Sequence, residues 1–123
     1  MRLDTMCRIA NAFPYCDDEM LISFFNYASD RLTDKDLTDI EKVKEVYSDF
    51  LDYVINSYNY CEIIEKAGGL TKFVEAVLNT STSDPFATAG EVEAESLRVL
   101  VASLIPAPED IVNFLVAEAA AGD

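Results

Sequence analysis

Apolar residues recur every three to four positions through most of the chain, the spacing that gathers them on one side of an α-helix. The longest such pattern covers residues 38–69. Ile40, Val43, Tyr47, Phe50, Val54, Cys61 and Ile64 follow the alternation, with Ser57 as its one polar member. Thr38 followed three residues later by Glu41 reads as a capping box at the start. Lys66 and then Gly68-Gly69 read as the stop, because glycine takes positive φ at little cost. At ~1.5 Å per residue one helix of this length would extend roughly 40 Å and serve as the central element.

The flanking segments repeat the pattern in shorter pieces. Residues 4–13 place Met6, Ile9, Ala10 and Phe13 on one face before Pro14 ends the run. Residues 17–31 open with Asp17, Asp18 and Glu19, which suit the positive end of a helix dipole. Leu21, Phe24, Phe25 and Ala28 are its inward set, broadened by Met20, Ile22 and Tyr27. After the double glycine, residues 70–79 carry Leu70, Phe73, Val74, Val77 and Leu78 as an apolar face. Residues 80–88, rich in Ser, Thr, Asp and Pro, form the clearest loop, with Phe86 expected to anchor it to the core, the commoner outcome, or else to serve as an exposed contact. Residues 88–105 predict a helix with Leu97, Leu100, Val101 and Leu104 inward, and Pro108 suits the first turn of a last one. That final segment is apolar nearly all round at Ile111, Val112, Phe114, Leu115 and Val116, as for a helix in the core or one shared with a second subunit. Strand signals are nearly absent. The expected fold is all-α: a single-domain bundle over residues 1–123, of about five helices around one long central helix.

Charge changes this picture more than composition does. Half of the 123 residues are apolar, enough for a packed core. Against this, 23 acidic residues face 9 basic ones, a net charge of −14, beyond the ~2–8 usual for a small domain. Such a chain should repel bare nucleic acid and anionic membrane and favour basic partners. From Phe73 to the end, nine acids meet one base, Arg98.

Candidate chemistry is sparse. There is no histidine, which removes the commonest acid-base group and metal ligand. Cys7, Cys16 and Cys61 have no paired short spacing and read as buried small hydrophobes in a reducing cytoplasm. Asp4 and Arg8 precede any apolar run, so no signal peptide is expected, and no apolar segment approaches the ~18 residues of a membrane span. Asp34, Asp36, Thr38 and Glu45 match positions 1, 3, 5 and 12 of a calcium loop. The match fails where geometry is strict, since Asp39 stands at the position that needs glycine and Glu41 at one that takes an aliphatic residue. Gly68-Gly69 with Thr71 and Lys72 lacks the spacing of a phosphate-binding loop. No metal, cofactor or catalytic site is therefore expected.

What remains is the arrangement of acids. Glu41, Glu45, Asp49 and Asp52 follow one another at spacings of 4, 4 and 3, on a helix face turned away from Val43, Tyr47, Phe50 and Val54. Asp30, Asp34, Asp36 and Asp39 precede them. These eight residues are the expected partner-binding surface. The function expected is that of a small cytoplasmic protein-binding protein, not an enzyme. It would be an inhibitor or regulator whose carboxylates imitate a nucleic-acid backbone and occupy a basic surface, such as that of a nucleic-acid-binding protein. The alternative is a structural or adaptor bundle that forms a homodimer through an apolar helix face, with charge serving only solubility. A carboxylate-based enzyme or calcium-binding module is the third reading.

Overall fold

Each apolar-periodic stretch forms a helix in the computed structural model, which describes residues 3–121. The fold is all-α: among the described residues there are seven α-helices, one short 3-10 turn and no strand. They are α1 (Leu3–Ala12), α2 (Asp18–Ser29), α3 (Ile40–Ser57), α4 (Tyr60–Lys66), α5 (Leu70–Ser83), α6 (Ala89–Ala102) and α7 (Pro108–Ala121), with the 3-10 turn at Asp36–Thr38.

The helix starts follow local side-chain chemistry. The first turn of an α-helix leaves backbone N–H groups without partners, and short polar side chains accept from them. Asp17 accepts from the Met20 N–H at 2.9 Å, Asn59 from that of Cys61 at 2.8 Å and Thr88 from that of Glu91 at 3.2 Å. Before α3 the cap is Asp39, which accepts from the Glu41 N–H at 3.2 Å. The expected Thr38 cap is corrected: the 3-10 turn aims the Thr38 hydroxyl backward, where it donates to the Lys35 carbonyl at 3.1 Å.

The single long helix over residues 38–69 is also corrected. Tyr58 closes the last turn of α3, its N–H bonding the Val54 carbonyl at 2.8 Å. Asn59 then takes an extended conformation (φ −69°, ψ 133°) and starts α4 afresh. Asparagine competes with helical hydrogen bonding through its own side chain, and here that competition wins. The break resets the rotation of α4. Ile63 becomes fully buried instead of Ile64, while Ser57 and Cys61 are exposed.

Contacts group the chain into two units. In the first, residues 3–50 and 105–121, α1 packs on α2, and α7 packs on the 3-10 turn. Phe24 lies edge-on to Phe50 at 5.2 Å between ring centroids and to Tyr47 at 6.0 Å. Phe50 also meets Tyr27 at 5.5 Å. Phe13 meets Phe114 at 6.0 Å. Ile9, Met20, Leu21, Phe25, Ala28, Val43 and Ile111 are buried here.

The second unit, Leu51–Leu104, holds the remainder of α3 with α4, α5 and α6, and the last three pack on one another. Leu51, Val54, Ile63, Ala76, Leu97, Leu100, Val101 and Leu104 are buried. The buried Ser96 hydroxyl is satisfied by the Val92 carbonyl one turn back, at 2.6 Å. Gly68 (φ +115°) and Gly69 (φ +98°, ψ −176°) make the reversal between α4 and α5, and Gly69 sits in a region essentially closed to residues with a Cβ.

Two further expectations change. Helix α5 continues to Ser83 and shortens the loop expected at 80–88, and Phe86 in that loop is 96% exposed, not anchored. The cysteines are free, as expected, but Cys7 and Cys61 are exposed and only Cys16 is partly covered. Among the described residues no helix is long and apolar enough to cross a membrane.

Candidate partner-binding surface

Helix α3 separates its residues by face. Val43, Val46 and Phe50 are buried, and Glu41, Glu45 and Asp49 are exposed on the other side. Residues four apart on a helix stand ~5–6 Å from each other at Cβ, so these three carboxylates form a continuous row within the first unit. None of the three takes part in an ion pair among the described residues. The lysines interleaved with them point elsewhere. Lys42 Nζ bonds Asp36 Oδ1 at 2.8 Å, and Lys44 Nζ lies 3.4 Å from Glu109 Oε1.

The acids preceding α3 divide by role. Asp30 and Asp34 are exposed and, among the described residues, unpaired. Asp36 is tied down twice, its Oδ2 accepting from the Thr33 N–H at 2.9 Å and its Oδ1 from Lys42. The Lys42 hydrogen bond first, and the Thr33 N–H second, hold its carboxyl down to about 2, and Asp36 in turn raises the Lys42 ammonium. Asp39 is engaged as the α3 cap. Arg31, in the turn after α2, is folded back on that helix, donating to the Tyr27 carbonyl at 2.9 Å with its guanidinium 3.6 Å from the Tyr27 ring centroid. Lys35 stands exposed among these acids.

Asp52 belongs to the second unit, where the Arg98 guanidinium bonds its carboxylate and also reaches Glu95 at 3.6 Å. Of the eight residues expected from sequence, five therefore present bare carboxylates: Asp30, Asp34, Glu41, Glu45 and Asp49. Asp36 and Asp52 are neutralised by a base, and Asp39 serves the helix start.

Burial pushes the Cys16 thiol up to about 11, against a lowering hydrogen bond from Tyr15. Burial likewise pushes the Tyr47 phenol up to about 12. Both keep their protons at neutral pH. Among the described residues no three His, Cys, Asp or Glu side chains gather to hold a metal ion.

Sequence reading missed an apolar surface in the second unit. A cavity of about 600 Å³ is lined by residues of α4, α5 and α6, among them Ile64, Phe73, Val77, Val92 and Leu97. Beside it Leu70, Val74 and Leu78 of α5 are 68%, 47% and 62% exposed. The signal was present in the width of the α5 apolar arc, where Leu70, Phe73, Val74, Val77 and Leu78 cover more of the helix than one helix contact needs. No family model, curated protein or solved structure matches the chain.

Proposed function

We propose that this protein acts by binding another protein, as an inhibitor or regulator whose carboxylate surface occupies a basic groove of the kind that nucleic-acid-binding proteins present. The observation that carries the reading is the bare row Glu41, Glu45 and Asp49 on the outward face of α3, beside lysines that are spent on other carboxylates. Like charges four apart on a helix repel by a few tenths of a kcal/mol per pair. Local pairing with Lys42 or Lys44 would relieve that repulsion, and it is not used. A partner that brings Lys and Arg to the row relieves it on binding. One carboxylate per ~6 Å of helix is sparser than the one charge per ~1.7 Å of duplex DNA, so Asp30 and Asp34 join the surface as its second element. On this reading the protein is a non-enzymatic binder that works without metal or cofactor.

The test is a partner isolated from the native host and measured across a salt series. The Debye length falls from ~10 Å at 0.1 M salt to ~3 Å at 1 M. Affinity for the wild type should therefore fall steeply over that range, and duplex DNA should compete. Glu45→Lys with Asp49→Lys should weaken binding without changing the helical circular dichroism. Salt-independent affinity together with a neutral double reversal would overturn the proposal.

A further inference from the structure

The apolar surface of the second unit is independent of the acidic row and has its own logic. Phe73, Val77 and Ser81 of α5 line the cavity. Leu70, Val74 and Leu78 each lie three positions earlier, and residues three apart are neighbours on a helix surface. α5 therefore presents two adjoining rows, one facing into the cavity and one facing out. The outward row extends ~12 Å along the helix. Contiguous exposed apolar patches mark protein–protein contacts, ligand grooves or membrane contacts.

The cavity volume of about 600 Å³ falls in the range of ligand sites, but a small molecule seated in it would leave Leu70, Val74 and Leu78 in water. A helix laid along α5 covers both rows. Its charge is set by the rim. Glu93 lines the cavity, is exposed and has no ion pair among the described residues. The unit holds eight acidic residues and three basic ones. Lys72 lies near Glu75 and Arg98 holds Asp52 and Glu95, while Lys66 is also engaged. A second copy in a two-fold contact would set this net-acidic rim, Glu93 included, against itself, whereas a partner segment carrying Lys or Arg would complement it. We propose that the α4–α5–α6 groove docks an amphipathic helical segment of a partner protein, with apolar side chains filling the cavity and covering the α5 row, and with Lys or Arg reaching Glu93.

A phage-displayed library of helical peptides, selected against the whole protein, tests this. Enriched peptides should carry apolar residues at i, i+3 or i+4, and i+7, flanked by Lys or Arg. A representative peptide should bind about tenfold more weakly to Leu78→Glu, and several-fold more weakly to Glu93→Lys. Both substitutions are at exposed positions, and circular dichroism verifies that the variants stay folded. The Glu45→Lys with Asp49→Lys variant should bind it unchanged, which separates this site from the acidic row. Absence of enrichment overturns the proposal, as does enrichment of peptides lacking basic residues or indifferent to Glu93→Lys. A dimer seen by sedimentation and dissolved by Leu78→Glu would assign the groove to a second copy instead. Stoichiometric binding of an apolar dye, lost in Val77→Glu while no peptide is enriched, would assign it to a small ligand.

Discussion

Phe50 is fully buried and meets the rings of both Phe24 and Tyr27. Its deletion removes both a large apolar volume and the edge-on geometry that aromatic pairs favour. Phe50→Ala should cost about 3–5 kcal/mol in chemical denaturation; a loss below about 1 kcal/mol would show that the site collapses around the smaller side chain. At the surface, Asp36 illustrates how one lysine can be withdrawn from a row of acids. Its carboxyl is held down to about 2 by Lys42 and the Thr33 N–H. A lowered pKa means the folded state binds the proton more weakly than the unfolded state. The contribution to stability is therefore full above the ordinary value of ~3.9 and is lost as pH falls toward and through about 2. Carbon-detected NMR titration should place the Asp36 midpoint near 2 and Lys42→Met should move it upward. An Asp36 midpoint unchanged in that variant would mean the pair does not form in solution.

At the scale of elements, the junction of α3 and α4 shows two local signals in conflict. Apolar periodicity runs straight through residues 57–61. Asn59, with Glu62 three residues on, carries a start signal of its own. The start signal prevails, because Asn59 satisfies the Cys61 N–H and the reset rotation buries Ile63. Asn59→Ala should destabilise the protein by about 1 kcal/mol through loss of the cap, read from the denaturation midpoint at unchanged slope. If the substitution is neutral or stabilising, α3 and α4 are able to merge, and the break is held by packing alone. The reversal after α4 is of another kind. There the glycines are required by the backbone itself, and the reading of Gly68-Gly69 as a stop needed no tertiary knowledge.

For the molecule as a whole, the net charge of −14 dominates. Ion pairs such as Arg8–Asp4, Lys44–Glu109 and Lys72–Glu75 lie at exposed positions, where each contributes ~0–1 kcal/mol. Repulsion among unpaired carboxylates acts against the compact state. Raising NaCl from roughly 0.05 to 0.5 M shortens the screening length severalfold and should raise the melting temperature. A fall would mean that the few ion pairs outweigh the repulsion, and that the acids are better balanced than their number suggests.

The sequence alone determined the helical class, most helix positions and the inward sets of α2 and α6, because these depend on periodicity and caps that act within a few residues. It also placed Glu41, Glu45 and Asp49 on one face, since spacing along a single helix dictates that. Three things were decided only by tertiary structure. Which acids stay bare depended on where Lys42, Lys44 and Arg98 found partners, and Arg98 lies 46 positions from Asp52. Whether Cys7 and Cys61 were covered depended on which face of each helix met a neighbour. And the outward turn of Leu70, Val74 and Leu78 arose because α4 and α6 cover only part of a wide apolar arc, leaving a row that no local rule distinguishes from core.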